Sequence, residues 1–312
     1  MENIRLNILD SQNIYGTMNS GSIALSNITS DDVVMLMYKH NLRASDLLDY
    51  DHMSEEAKIN AMMQNNLRPS ELVNYKFTKD DKQQILANHR KAFAVANGFD
   101  WHKMFMMDQD LEKSGKRESY FEITREYVEA NPNGWTDIPE DILITTDKVP
   151  GVAIGYPVAD CPVIIMEDIK QGVTAVAHCS AELIDSRLPM MIADALNDAY
   201  NTKDEDILVA VGPMAGPNWT YTDLPPKWAH DQNFWINTGA ITKENNEFKI
   251  DLKKAISSQL KERNVGQEGR TIYSNVDTIT DSRYYSNAEA SKGKQEKYGR
   301  QFVGVVYQKT RR

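Results

Sequence analysis

The spacing of hydrophobic and polar positions changes twice along the chain. Between residues 1 and 29, short apolar segments are broken by Gly16, Gly21 and Ser/Asn clusters, which predicts strands and turns. Residues 30–100 read as helical, with Ser and acidic residues opening each apolar stretch. From 141 to 308, short β-rich apolar runs alternate with helical segments, the pattern of an α/β chain. Within that last region the apolar runs Val152–Met166 and Val173–His178 flank the polar stretch Glu167–Gly172. The pattern predicts a β-hairpin closed by residues 167–172, with Met166 facing Val173. Cys161 then lies directly opposite His178, on one face, with Cβ atoms ~5 Å apart. A helix is expected from Leu183 to Tyr200, covering the hairpin sheet, with Pro189 marking its first turn. Ile207–Val211 reads as a strand that ends in the Gly/Pro turn Gly212–Pro217. Such a turn serves either a tight crossing or a close backbone approach to a ligand. Residues 112–140 are polar and broken by Pro132, Gly134 and Pro139. They read as a long connection with one short strand or helix around Tyr120–Val128.

The helical region contains an internal repeat. Asn41–Tyr50 (NLRASDLLDY) matches Asn66–Tyr75 (NLRPSELVNY) at an offset of 25 residues, and Ser30-Asp31-Asp32-Val33 resembles Ser54-Glu55-Glu56-Ala57. Each copy reads as a Ser N-cap, an acidic first turn, a helix and a second Ser-capped helix. Two copies are too few to bury a face of their own as a solenoid. The expectation is one domain over residues 1–312, carrying a duplicated helical insertion at 30–78. That insertion either packs on the main body or acts as a lid or partner-binding element.

Charge narrows the partners. The formal net charge is −10, from 45 acidic and 35 basic residues, and the only basic cluster is the short tail Lys309–Arg312. Such a chain repels phosphate backbones, so nucleic acid is not an expected partner. No apolar run approaches the ~20 residues that span a bilayer, and Met1–Ile8 lacks the features of a signal peptide. A cytoplasmic location without membrane contact is the expectation. Two cysteines, Cys161 and Cys179, make no disulfide framework. Cys179 falls on the other face of its strand from His178 and reads as a small buried residue.

A thiol opposite an imidazole can form a thiolate–imidazolium pair, or both groups can bind a metal. Cys and His are also ordinary core residues, and the argument for chemistry rests on their coincidence across the hairpin. The aromatic cluster Trp219, Tyr221, Trp228, Phe234 and Trp235 reads mainly as core. Dinucleotide, P-loop, zincin and serine-hydrolase motifs are absent from the sequence.

Several segments together carry a family resemblance. They are Val158-Ala159-Asp160-Cys161-Pro162-Val163, Ala177-His178, Val211–Pro217 with Tyr221, Ile250-Asp251-Leu252 and Gly299-Arg300-Gln301. In this order and spacing they resemble the multicopper polyphenol oxidoreductase laccase, or laccase-domain, family. Ile14–Thr17 and Asn88-His89-Arg90 fit it more weakly, and the repeat has no counterpart in it. The resemblance implies an α/β (α+β) fold of layered mixed sheets flanked by helices, related to cytotoxic necrotising factors. It also implies zinc-dependent purine nucleoside phosphorylase or adenosine deaminase chemistry, or a role in peptidoglycan editing. By the same resemblance Cys161 and His178 are metal ligands and catalytic groups, and Asp160 beside them is a third candidate catalytic residue. Gln109, Glu182, Tyr221 and Arg300 become candidates for contacting a small nucleoside-like ligand.

Departures from the family pattern accompany the match. The family's further His position falls at Gln109, with His102 nearby. Cys179-Ser180-Ala181-Glu182 replaces a Gly-Trp-Arg-Gly run, and Ser286-Asn287-Ala288-Glu289 replaces a Ser-aromatic-Arg-Arg segment. Phosphate binding then depends on Arg187, Arg283 or Arg300 reaching the site. Three readings follow: a zinc-dependent nucleoside-processing enzyme, a degenerate homologue that binds a ligand or partner without turnover, and a metal-free Cys–His hydrolase. Copper chemistry is disfavoured, because one Cys and one His fall short of a multicopper ligand set.

Overall fold

The computed structural model describes residues 7–10, 21–24, 33–37, 101–107, 120–132, 137–222 (except 139, 148, 150 and 169), 232–292 (except 268, 275, 282, 283 and 285) and 301–307. Its strands are β1 (Asn7–Asp10), β2 (Gly21–Ala24), β3 (Val33–Met37), β4 (Met104–Met107), β5 (Tyr120–Glu122), β6 (Asp137–Ile138), β7 (Ile142–Thr145) and β8 (Ala153–Val158). They continue as β9 (Val163–Asp168), β10 (Val173–His178), β11 (Ile207–Val211), β12 (Trp219–Tyr221), β13 (Ile241–Glu244), β14 (Glu247–Ile250), β15 (Thr271–Tyr273) and β16 (Gln301–Tyr307). The helices are α1 (Arg125–Ala130), α2 (Ala181–Asp185), α3 (Leu188–Tyr200), α4 (Gln232–Asn237), α5 (Leu252–Glu262) and α6 (Asn287–Ser291).

Two large mixed sheets face one another. One runs β1-β2-β3-β16-β8-β4-β6 and the other β15-β11-β9-β10-β7-β5, with a small β12-β14-β13 sheet beside them. The two-residue period of a strand divides the second sheet between two cores. Val163, Ile165, Val176, Leu143 and Ala210 pack with Ile154, Tyr156, Val158, Val303 and Val305 of the first sheet. The alternate residues Ile164, Met166, Ala175 and Ala177 pack with Leu188, Ile192 and Leu196 of α3 and Ile256 and Leu260 of α5. The expected α/β layering is therefore present, and α3 covers the hairpin sheet as its apolar spacing predicts.

Three local expectations are corrected. Val33–Met37 falls in the stretch read as helical but is a strand, paired with β2 and β16. A short apolar run such as VVMLM fits a buried strand as well as a helix, and its β-branched start favours the strand. The rest of the 30–78 repeat lies outside the described residues. The expected helix from Leu183 is divided in two, because Arg187 adopts left-handed φ +68° and ends α2. Pro189 then occupies the first turn of α3, as expected. The segment around Tyr120–Val128 forms both a strand and a helix, with Thr124 capping α1 through Tyr127 N–H.

The third correction concerns the β9–β10 hairpin. Val173 pairs with Asp168 and His178 with Val163, so the register is displaced two positions from the expected one. The cause lies in the turn. The Asp168 carboxylate accepts the N–H groups of Lys170 (2.8 Å) and Gln171 (3.0 Å) and the Gln171 side chain (2.9 Å). Its carbonyl accepts Gly172 N–H at 2.8 Å, and Gly172 holds φ +71°. The turn therefore closes after Asp168, and Glu167 and Asp168, expected in the loop, belong to the strand. An even displacement keeps every side chain on its expected face.

Loop crossings gather at the end of the two large sheets where β8 stops and β9 starts. Gly212 N–H donates to Val163 O at 2.9 Å, and an added Cβ there would meet Val303 Cγ1 at 2.9 Å. Gly216 N–H donates to Asp277 Oδ1 at 2.9 Å, and an added Cβ would lie 2.5 Å from the Asp277 carboxyl carbon. The Gly/Pro turn is thus a tight crossing, in which glycine is required because a carboxylate occupies the side-chain space.

Two stability outcomes follow. Gly216→Ala is expected to cost about 1–3 kcal/mol by denaturant unfolding, from overpacking against Asp277. Burial alone would raise the Asp168 pKa, but its backbone and side-chain donors outweigh that and lower it below the ordinary 3.8. A lowered carboxylate pKa stabilises the fold at pH above the unfolded value and loses that effect as pH falls through the folded one. Asp168→Ala is therefore expected to lower Tm at neutral pH by the equivalent of about 1–2 kcal/mol, with the gap from wild type closing below pH ~4. A gap that is constant with pH would contradict this assignment.

Candidate active site at the sheet crossover

The chain passes from one large sheet to the other through Ala159–Pro162, and Cys161 stands on that crossover. Its position is set by Asp160, which holds left-handed φ +83° and is 3% exposed. Asp tolerates this conformation better than most residues, because its short polar side chain can bond locally. Here the carboxylate bonds to distant segments instead. Thr278 Oγ1–H donates to Oδ1 at 2.7 Å, and Ala288 N–H, in the first turn of α6, donates to Oδ2 at 2.7 Å. The Asp160 carbonyl accepts Ala215 N–H at 2.8 Å. Burial raises the Asp160 pKa, opposed by hydrogen bonds from Thr278, Ala288, Ser286 and Asn287.

His178 ends β10 and is buried. Strand alternation turns it toward the inter-sheet layer, where its ring stacks on Tyr156 of β8, with centroids 4.3 Å apart and planes 21° from parallel. Tyr156 is itself fully buried, so the imidazole has a fixed platform. Cys161 is half-buried and precedes Val163, the cross-strand partner of His178, by two residues. The expectation of direct opposition is therefore corrected: Cys161 lies on the crossover just beyond the ladder, at the end of the sheet that His178 reaches. Cys179 behaves as expected. It is fully buried in the helix-side core, its N–H donates to Pro162 O at 2.8 Å, and burial pushes its thiol well above the ordinary range.

Tyr221 is half-buried at the end of β12. Burial raises its phenol pKa, the Trp219 side chain lowers it, and the charges of Asp160 and Cys161 raise it further. Tyr221 is thus within electrostatic reach of the crossover. Trp219, Phe234 and Trp235 are core residues, and the Trp235 indole donates to Asp185 at 2.6 Å. Glu182 is half-buried in the first turn of α2, which Ser180 caps through Leu183 N–H at 3.2 Å. Gln109, Arg283, Arg300 and Trp228 lie outside the described residues.

Two weighed residues are not brought in. His102 precedes β4, which runs parallel to β8 with Met104 beside Ala153. It therefore lies at the start of β8, while Cys161 follows its end, roughly 15 Å away along the strand. Arg187 is committed elsewhere: its guanidinium bonds Glu262 at 3.0 Å and covers the Phe234 ring at 4.2 Å. Sequence reading missed Tyr156, Thr278, Asp277 and Ser286 as parts of the site. For Ser286 a signal exists, since Ser-x-x-Glu opens a capping box. The Ser286 hydroxyl does accept Glu289 N–H at 3.1 Å.

Metal fit can be judged from the donors. Cys161 and His178 are suitable zinc ligands, but a closed or catalytic zinc site takes at least three protein donors. Among the described residues, no group of three or more His, Cys, Asp and Glu is placed to hold a metal ion. The described donors therefore do not complete a zinc shell. Also among the described residues, no helix is long and apolar enough to cross a membrane.

Comparison with known proteins agrees with this architecture. Bacillus licheniformis hypothetical protein YfiH superposes with a TM-score of 0.67 at 15% identity, over 92% of this chain and 96% of that one. YlmD from Geobacillus stearothermophilus gives a TM-score of 0.65 at 15% identity, over 94% and 98%. No curated protein matches the sequence. The family profile described as "Multi-copper polyphenol oxidoreductase laccase" matches residues 65–308, which hold the crossover, the hairpin and the Gly/Pro turn. The chain belongs to the multi-copper polyphenol oxidoreductase laccase family.

Proposed function

We propose that the protein processes purine nucleosides at the sheet crossover, by hydrolytic deamination in preference to phosphorolysis. The observation that supports this reading is the His178 ring stacked on buried Tyr156 at the end of the sheet where Cys161 follows on the crossover. Three roles follow from the chemistry of these groups. An imidazole can take a proton from an attacking water and return it to a leaving amine. The half-buried Tyr221 phenol can hydrogen-bond a base or ribose hydroxyl. Cys161 contributes a thiol that can contact the ligand or act as a donor to a metal. No step here is routed through zinc, since the described donors leave its shell incomplete.

The preference for water over phosphate rests on charge. Asp160 is buried at the crossover, Glu182 follows His178 on α2, and Glu289 follows the Asp160-bound turn of α6. Among the described cations, Lys292 pairs with Glu289 at 3.6 Å and Arg187 with Glu262. A phosphate dianion needs cations or several aligned donors, whereas a neutral water does not. A second reading, ligand binding without turnover, is favoured by the incomplete donor set. The metal-free hydrolase with Cys161 as nucleophile is a separate, catalytic alternative.

The test is incubation of the purified chain with adenosine and inosine, with and without phosphate, followed by chromatography of products and measurement of bound metal. Conversion of adenosine to inosine without phosphate is expected. Cys161→Ser and His178→Ala are each expected to lower the rate by ~100-fold or more while remaining folded. Saturable nucleoside binding without turnover would replace this reading with the second. Neither binding nor turnover would overturn both.

A further inference from the structure

The geometry points to Asp160 as the positioning residue of the site, the group that fixes Cys161 on the crossover, and not as a proton-transfer group. Both of its carboxylate oxygens are occupied, by Thr278 Oγ1–H and Ala288 N–H, each at 2.7 Å. A general base needs an oxygen open to the reacting proton, and this carboxylate is 3% exposed. What the contacts accomplish is mechanical. Asp160 shares a peptide bond with Cys161, so immobilising its side chain and φ immobilises the thiol-bearing residue.

The partners of Asp160 come from three other segments. Ala215 belongs to the Gly/Pro crossing, Thr278 to the turn after β15, and Ala288 to α6. Two of these segments, the Gly/Pro crossing and the turn after β15, are joined to one another independently of Asp160. Asp277 accepts Gly216 N–H (2.9 Å), Ile279 N–H (2.9 Å) and the Asn218 amide (3.2 Å), and Thr278 N–H donates to Met214 O (3.0 Å). The Asp277 junction thus forms a frame, and Asp160 bolts the crossover to it. Removing the bolt frees Cys161 while leaving the frame closed. Left-handed φ +83° adds a second constraint, since most residues adopt it only at a cost.

These two constraints are separable by substitution. Asparagine tolerates left-handed φ, and its amide can accept from Ala288 N–H while donating to Thr278 Oγ1. Glycine keeps the backbone freedom and loses the clamp. Alanine loses both. The inference takes from the proposed function only that Cys161 is the working group of the site.

The test is the rate of iodoacetamide modification of the full chain well below its Tm, read separately for Cys161 and Cys179 by peptide mass spectrometry. Alkylation needs neither nucleoside nor metal, so failure here and failure of the proposed activity are distinguishable. Asp160→Asn is expected to label Cys161 within about twofold of wild type, and Asp160→Gly and Asp160→Ala about tenfold faster, with Cys179 unmodified throughout. A Cys161 rate in folded Asp160→Gly within twofold of wild type overturns the inference. So does parallel acceleration at Cys161 and Cys179, which reports general loosening and a merely structural role. If the glycine and alanine variants do not fold, Thr278→Val removes one donor without altering the crossover backbone. It is expected to speed Cys161 labelling about threefold, and an unchanged rate overturns the inference.

Discussion

The architecture depends on how two facing sheets are joined at one end, and a single buried carboxylate holds that join. Asp160 lies where the chain leaves β8 in one sheet and enters β9 in the other. Its hydrogen bonds fasten the crossover and α6 to the Gly/Pro crossing and the turn after β15, which the Asp277 junction already joins. A buried carboxylate is costly unless its acceptors are filled. The α6 N-terminus supplies one donor, Ala288 N–H, while Glu289 N–H is capped by the Ser286 hydroxyl. The helix and the carboxylate thus meet each other's unsatisfied bonding capacity. That accounts for a five-residue helix in a position where propensity alone would not support one.

Much of this was legible in the chain and some was not. Strand alternation and the α/β rhythm from 141 onward predict the layers correctly, because burial on one or both faces leaves a periodic trace. The Leu188–Tyr200 helix and Pro189 in its first turn follow from local chemistry alone. The register of the hairpin did not follow, since it depends on the Asp168 carboxylate folding back onto its own turn. A polar Glu-Asp pair looks like loop when only hydropathy is weighed. Val33–Met37 misled for the opposite reason: a short apolar run carries no period, and its partners in β2 and β16 lie elsewhere in the sequence. The Asp160 clamp was least legible. Thr278 and Ala288 are more than a hundred positions away, and one of the two contributes only a backbone N–H, which leaves no mark on residue identity.

The frame of the site is set separately from the side chains around it. The crossover, the hairpin His and the Gly/Pro crossing are all set by packing and backbone hydrogen bonds. Side chains outside these contacts can be exchanged without disturbing the frame. Arg187 illustrates the point, since its position on Glu262 and Phe234 serves the contact among α3, α4 and α5.

The pairing of β9 with β10 has a consequence for how this lineage can vary in length. His178 reaches Tyr156 because it faces the inter-sheet layer, and that facing depends only on whether the count of residues along β10 is odd or even. A deletion or insertion of one residue between Val173 and His178 would turn the imidazole toward the helices and expel it from the crossover. A change of two would return it to the same side. Indels that survive in this strand should therefore come in pairs, and the turn after Asp168 is held to its length by the carboxylate that gathers its N–H groups.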